Sequence, residues 1–431
     1  MTSASLLLCH RLPFPPNKGD KIRSFALLKH LAEKGPVHLA CFVDDPQDLK
    51  YCDEVRKLAG GDCLFVPLGQ ATKWWRAAYA LLSGQPVTTA YFASRKMTRW
   101  VKNILATKLI DNTIVFGSAM APYLIDDLPH RTSTLFDMVD VDSDKWRQYA
   151  QSSFGLTRWI YAREARAVAK LEKRAALAFG QTLLVSHFEA ETFRQAVPEC
   201  AYKIGVLSNG VDLKTFSPCE LASPFAQGEL AIVMTGHMDY RPNSDGALWF
   251  AKEVAPKILA ALPRAHIYFV GSNPPSALRK IESANVTVTG VVADVRPYIQ
   301  NAAVIVAPLL IARGVQNKVL EAMAMKKPVV ATFEATRALD VQSGVHLWIE
   351  NDPQRFSDAV LNAIKSPNVH AVTENARRYV EQNHNWGKIL KGLDETFQKL
   401  AQRALPNQRG LEPMPIEPTR AYKAGVTGAK A

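Results

Sequence analysis

Short apolar runs alternate along this chain with longer segments in which apolar positions recur every three to four residues. Leu6–Cys9, Val37–Val43, Cys63–Val66, Thr113–Phe116, Thr134–Met138 and Thr182–Val185 are continuous apolar runs, the pattern of strands buried on both faces of a parallel sheet. Ile22–Glu33 and the long Thr157–Phe179 stretch carry helical spacing between them. A second series follows, with strand-like runs at Ala231–Thr235, His266–Val270, Val286–Thr289, Val304–Ala307 and Pro328–Ala331. Helical patterns at Ser244–Ala261, Lys318–Met325 and Arg355–Ala363 intervene. Alternation of this kind predicts α/β units with both sheet faces covered, and two series predict two doubly wound domains. The joint falls at Asn209–Gln227, where Asn209-Gly210 and two prolines punctuate a polar stretch. Residues 404–431 carry four prolines and no apolar period, and are expected to be a disordered tail.

Composition narrows this picture. With 431 residues, 48% of them hydrophobic and 21% charged, the chain is ordinary globular material for two or three domains at ~150 residues each. No apolar run reaches the roughly 18–20 residues of a membrane span. Leu6-Leu7-Leu8-Cys9 is too short for a signal-peptide core and has no charged segment before it, so it reads as a buried first strand. The six cysteines, at 9, 41, 52, 63, 200 and 219, form no Cys-x-x-Cys pair, which argues against zinc and against a disulfide scaffold and fits reduced thiols in a cytoplasm. Net charge is +12. Residues 1–215 hold 28 basic against 21 acidic side chains and the remainder 24 against 19, so the excess is spread over both halves. It suits an anionic partner, a phosphate ligand or an acidic membrane surface, and no nucleic-acid-binding motif accompanies it.

Open α/β sheets bind ligands beyond the carboxyl ends of their strands. After the first strand, His10 to Arg23 includes Pro15-Pro16-Asn17-Lys18-Gly19-Asp20-Lys21 and leads into a helix. A glycine turn before a helix start with cations nearby suits a phosphate, and a proline-rich turn with solvated charges fits equally. There is no G-x-G-x-x-G and no Walker loop, which argues against hydride transfer and P-loop chemistry. In the second half, Thr235-Gly236-His237 to Arg241-Pro242-Asn243 joins a strand to a helix, and Gly290 to Tyr298 follows another strand. Arg313-Gly314-Val315-Gln316-Asn317-Lys318-Val-Leu-Glu321 opens a helix. Lys318 and Glu321, three residues apart, lie on neighbouring faces, where an ordinary salt bridge at a helix start is the alternative to a ligand site.

The run from Gly314 through Lys318-Val-Leu-Glu321-Ala-Met-Ala to Pro328-Val-Val resembles the donor-site signature of family 4 glycosyltransferases. Ser208-Asn-Gly210-Val-Asp212 with Phe216, Gly236 with Pro242-Asn243, Trp249-Phe250 and Pro256, and Trp386 with the helix after it fall in the order that family shows. The N-terminal Pro-Pro-Asn-Lys-Gly-Asp-Lys-Ile-Arg-Ser and Val139-Asp-Val-Asp-Ser-Asp-Lys-Trp146 resemble the sugar transferases associated with exosortase (PEP-CTERM) and exopolysaccharide gene sets.

The resemblance implies a GT-B type α/β fold: two Rossmann-like doubly wound parallel-sheet domains facing a cleft. The expected layout is an acceptor-side domain at 1–212, a nucleotide-sugar domain at 213–385, a helix at 386–403 crossing back to the first domain, and the tail at 404–431. It implies a metal-independent hexosyltransferase that moves a sugar from a nucleoside-diphosphate donor to a hydroxyl, with retention, in exopolysaccharide or cell-surface glycan synthesis. No cofactor is expected beyond the nucleotide-sugar substrate. Glu321 would accept the ribose hydroxyls and Lys318, with Arg241, would face the diphosphate. Backbone amides of Gly314, Val315, Gln316 and Asn317 would hold the sugar, Val292 and Asp294 would lie against the base, Gly236 would let the backbone approach, and Gly19 would come from the opposite domain. Two departures stand out: Arg313 occupies the place of a first glutamate eight residues before the second, and Lys326 stands where glycine is usual. Arg313 could then pair with an acidic sugar or the diphosphate. On the acceptor side His10 and Asp140, in a cluster with Asp137 and Asp142, are the catalytic candidates, with helix capping as the alternative for the aspartates. A nucleotide-sugar epimerase on the same fold, or a degenerate sugar-nucleotide-binding subunit, are the competing functions.

From Cys63 to Ile110 there are seven basic residues, no acidic one, and interleaved aromatics including Trp74, Trp75, Tyr79, Tyr91, Phe92 and Trp100. This segment is expected to rest on the anionic inner face of the plasma membrane, near a glycan or lipid-linked acceptor. Aromatics packed in the core with solvated charges are the alternative.

Overall fold

A computed structural model describes residues 3–69, 80, 84–128 and 132–404. The proposed tail beyond Ala404 and most of the Lys73–Leu82 segment lie outside the described residues. Two parallel sheets carry the molecule. The first is ordered β3-β2-β1-β4-β5-β6-β7, from β1 (Ser5–Cys9), β2 (Val37–Val43), β3 (Gly60–Pro67), β4 (Asn112–Phe116), β5 (Ser133–Val139), β6 (Gln181–Leu184) and β7 (Ile204–Val206). The second is ordered β10-β9-β8-β11-β12-β13, from β8 (Leu230–Thr235), β9 (Ala265–Val270), β10 (Val286–Gly290), β11 (Val304–Ala307), β12 (Val329–Ala331) and β13 (Trp348–Ile349). In each, strand order reverses beside the first strand of the set, at β1/β4 and at β8/β11, and the crevice at such a reversal is where open sheets hold ligands.

The helices among the described residues include α1 (Gly19–Ala32), α2 (Asp142–Gln151), α3 (Gly155–Ala178), α4 (His187–Ala196), α5 (Arg241–Trp249), α6 (Asn317–Ala324) and α7 (Trp386–Ala404). Every strand of both sheet centres is apolar and buried because helices cover both faces. On one face of the first sheet, Leu7 and Leu39 share a core with Leu28 of α1 and Leu390, Leu393 and Phe397 of α7. The C-terminal helix therefore crosses back and completes the first domain's core. His30 and Lys34 of the first domain hold Asp394 on its outer side.

The helical pattern at Ser244–Ala261 is not one helix. α5 passes through a π-helical turn at Phe250–Val254 into a helix at Ala255–Ala261, because Pro256 supplies no N–H to continue the ladder. Between Pro86 and Thr107 the aromatics turn inward: Phe92 is buried, and Tyr91 and Trp100 pack against the core. The helix at Arg95–Thr107 buries Met97, Val101 and Ile104 and leaves Arg95, Lys96 and Arg99 exposed. In this part of the basic segment the aromatics serve the core and the charges form a solvated face.

Candidate active site

Gly236 follows β8 and sets the floor of the second domain's crevice. A Cβ there would stand 2.8 Å from Asn243 Nδ2 and 3.0 Å from Lys318 Nζ, at a φ of 154° that side chains rarely adopt. Only glycine lets β8 pass this close beneath the lysine. Lys318 Nζ donates to Asn243 Oδ1, and Asn243 Nδ2 donates to the His237 carbonyl at 2.8 Å. One turn along α6, Glu321 lies half-buried beside Lys318. Burial pushes Lys318 down to about 8, against the pull of Glu321, and pushes Glu321 up to about 7, against the pull of Lys318. The N-terminus of α6 carries no side-chain cap; Val319 N and Leu320 N turn back to the Gln316 carbonyl at 3.0 and 3.3 Å, so the donors this helix start leaves over are the amides of Asn317 and Lys318.

The first domain closes over this crevice. Asn17 accepts at its carbonyl from His237 Nε2 at 2.7 Å, which leaves His237 Nδ1 to accept from the Ser272 hydroxyl at 2.6 Å. Gly19 at the start of α1 faces Asn317, 3.8 Å from where its Cβ would be. Asn209 Nδ2 donates to Asn317 Oδ1 at 3.3 Å. Asp140 faces the second domain's Gly314, whose hypothetical Cβ would fall 2.5 Å from Asp140 Oδ1. Gly314 has φ 60°, so this contact also needs glycine. Asp140 Oδ1 is buried without a hydrogen-bond partner. Burial and the neighbouring Asp142 push its carboxyl up to about 6, against Lys145, Arg23 and Arg313. Val139, a β-branched residue held at φ 70°, turns the chain so that Asp140 leaves β5 toward the cleft. Val139 O accepts from Val185 N at 2.7 Å, and Val141 N donates to Glu189 at 3.0 Å, which fix the turn on both sides.

The remaining candidates are placed as follows. His10 lies at the β1/β4 reversal, stacked on Phe116, with Nε2 3.1 Å from Asp20. Burial raises Asp20, but hydrogen bonds and charges from His10 and Arg11 outweigh it and hold the carboxyl far below the usual range. Arg313 does not reach into the crevice. Its guanidinium is buried on Asp144 and, at 3.1 Å, on Glu189 of the first domain. Arg241 is exposed and pairs with Asp245. Asp294 is held by Arg296 from 2.7 Å, Val292 is half-buried against the domain core, and Val315 is buried. Gln316 donates to the Arg313 carbonyl at 2.8 Å. Asp137 is engaged by Arg23, which grips it at 2.8 and 2.7 Å and reaches on to the Leu207 carbonyl and Asn209 Oδ1. That pair ties β5 to the interdomain segment. Asp142 accepts from Ser118. Lys326 holds φ 55°, the conformation glycine takes freely, and is anchored on Glu374 at 2.6 Å.

Sequence reasoning missed Asn243 as the partner of Lys318, His237 as the cross-domain donor, and Glu189 with Asp144 as the partners of Arg313. Ser186-x-x-Glu189 has the spacing of a capping box, and Ser186 Oγ accepts from Glu189 N. The glutamate side chain instead serves Val141 and Arg313. Among the described residues no group of three or more His, Cys, Asp or Glu side chains could hold a metal ion.

Residues 229–366 match the family model described as "Glycosyl transferases group 1". No curated protein matches the chain. Among solved structures, sucrose-phosphate synthase from Thermosynechococcus elongatus superposes with a TM-score of 0.69 at 17% identity, covering 93% of this chain and 100% of that one. Anabaena Alr3699/HepE in complex with UDP-glucose gives 0.67 at 14% identity over 92% of this chain and 99% of that one. A glycosyltransferase from Rickettsia africae gives 0.62 at 14%, over 93% and 99%. At these identities the likeness is one of fold. The chain has the GT-B architecture of two facing Rossmann-like domains.

Proposed function

We propose that this chain is a glycosyltransferase that moves a sugar from a nucleoside-diphosphate donor to an acceptor hydroxyl in the cleft between its domains. One observation carries the reading: Lys318 and Glu321 lie together above Gly236 at a helix start without a side-chain cap, while Asp140 Oδ1, buried without a hydrogen-bond partner, faces Gly314 from the other domain. The match of residues 229–366 to group 1 glycosyl transferases covers this helix, and one structural neighbour was solved with UDP-glucose.

In this reading Lys318 and the first amides of α6 take the diphosphate, and Glu321 accepts the ribose hydroxyls. Asp140 orients the acceptor hydroxyl. The anomeric carbon–oxygen bond to the diphosphate breaks, the acceptor oxygen bonds the anomeric carbon, and the acceptor proton passes to Asp140. The leaving charge meets a cation and a helix N-terminus, so the reaction is proposed to need no metal. Retention at the anomeric carbon, a hexose as the transferred sugar, and a cytoplasmic role in exopolysaccharide or cell-surface glycan synthesis complete the proposal. Arg313, held by Asp144 and Glu189, joins the domains instead of contacting the sugar.

The test is incubation with a panel of labelled nucleotide-sugars and hydroxyl acceptors, lipid-linked ones included. Nucleotide release coupled to sugar transfer supports the proposal. Inversion at sugar C2 without transfer would establish an epimerase, and binding without turnover a sugar-nucleotide-binding subunit.

A further inference from the structure

α2 and α3 form an antiparallel helical hairpin that starts at the cleft and ends in solvent. α2 begins at Asp142, two residues after Asp140, and its ten residues carry the chain about 15 Å to the turn at Ser152–Phe154. Trp146, Tyr149 and Tyr161 interlock between the helices, with ring centroids 5.5 to 5.9 Å apart, so the tip stands on a fixed support. At the tip the apolar side chains point away from the protein: Phe154 is 88% exposed, Leu156 73% and Trp159 55%. Leu156 and Trp159 are three apart on one face of the first turns of α3.

Basic residues outnumber acidic ones toward this tip. Between Lys145 and Lys170 the sequence has six basic residues and a single acidic one, Glu164. Glu164 is buried, and its oxygens accept from the backbone N–H groups of Val87 and Thr88 at 2.9 and 3.1 Å. Arg158 and Arg166 form no ion pair among the described residues and are exposed; Arg147, one turn before the tip on α2, is also exposed and pairs with Asp144 at 2.7 Å. Among the described residues no helix is long and apolar enough to cross a membrane. A protruding tip with exposed aromatic and aliphatic side chains and a cationic collar matches a bilayer interface: the apolar groups fit below the headgroups and the arginines at anionic phosphates.

We propose that the Phe154–Trp159 tip docks this protein on an anionic membrane leaflet, with α2 spanning the distance from the bilayer surface to Asp140. Docked this way, the cleft stands about 15 Å above the surface, within reach of an acceptor whose lipid stays in the bilayer. The inference deepens the transferase reading by naming a membrane-borne acceptor class, and the docking itself is measured without any donor.

The experiment is co-sedimentation of the full chain with vesicles of phosphatidylcholine alone or mixed with phosphatidylglycerol, at low and high salt. Binding is expected to the mixed vesicles and to weaken with salt. It should fall about tenfold or more in the Phe154→Ser/Leu156→Ser/Trp159→Ser variant, and likewise in Arg158→Glu/Arg166→Glu. All five positions are exposed, and unchanged circular dichroism verifies that both variants fold. The proposal is overturned if wild type ignores the mixed vesicles, if binding survives both variants, or if it is lost only on replacing Trp74 and Trp75. It is equally overturned if the tip variant changes only the mass in sedimentation equilibrium, which would make the tip a contact between copies. Absence of sugar transfer with intact vesicle binding would count against the transferase reading and leave the docking in place.

Discussion

Raising the pH above 8 should release the donor, and replacing Lys318 by Met should abolish that dependence. Burial holds the free lysine at about 8, and Glu321 beside it at about 7. A bound diphosphate favours the charged lysine, so above pH 8 binding requires uptake of a proton, and affinity falls as pH rises. Below pH 7 the opposite holds: Glu321 must lose a proton to accept ribose hydroxyls, and affinity falls as pH drops. At about pH 7.5 each group is roughly 75% in its competent form; two units to either side one of them drops to about 3%. The competent fraction therefore shrinks on the order of twentyfold at about pH 5.5 and at about pH 9.5. A nucleotide-sugar is a suitable probe because its diphosphate has no ionisation in this window. Calorimetric titration across the range should give a bell centred between 7 and 8. Lys318→Met should bind weakly with no alkaline limb, and Glu321→Gln should lack the acid limb. An affinity that is flat from pH 6 to 9, or an alkaline limb that persists in Lys318→Met, would refute the placement of these two groups on the donor.

Other expectations follow from single side chains. Glu172 is fully buried and is pushed up to about 8 by burial, with Oε2 unpartnered and Oε1 accepting from Ser143 N at 3.1 Å. Its folded pKa lies above the unfolded value, so the native state binds the extra proton and stability declines from about pH 4.5 to 8. Glu172→Gln should remove that decline, and urea denaturation should show the variant gaining on wild type by roughly 3 kcal/mol between pH 5 and 8; parallel curves would contradict it. Arg23→Met strands the buried Asp137 carboxylate and should cost about 3–5 kcal/mol in the same assay, with a loss below about 1 kcal/mol speaking against the pin. Gly236→Ala puts a methyl against Asn243 and Lys318 and should weaken nucleotide-sugar binding about tenfold or more, a result that calorimetry with unchanged affinity would exclude.

The two sheets were legible because their strands are buried on both faces and so are continuous apolar runs. β7 and β13 were not, since three and two residues carry no periodic signal. The π turn at Phe250–Val254 was hidden because Pro256 falls where the apolar spacing still looks helical. At the site, Gly236, Gly314, Lys318 and Glu321 stood out through the resemblance to the family 4 donor signature, while spacing alone placed only Lys318 and Glu321 together at a helix start. Their partners did not stand out: Asn243 is 75 residues from Lys318, and Glu189 is 124 residues from Arg313. Such pairs are set by how distant segments of the chain fold together, which leaves no mark on any short window of sequence. The same holds for Asp137, which looked like its neighbour Asp140 until Arg23, 114 residues away, was seen to hold it. Val139 gives no hint of its positive φ, because the residue type argues against the conformation the turn imposes.

The central claim is that Lys318 and Glu321 bind the donor of a sugar transfer, and single-turnover transfer with Glu321→Ala and Lys318→Ala tests it most directly. With a donor identified by the nucleotide-sugar panel, each variant should lose about tenfold or more in transfer rate at subsaturating donor, the effect of removing a charged hydrogen bond to a ligand. Melting temperatures should show that both remain folded. Transfer at the wild-type rate by either folded variant would contradict the account.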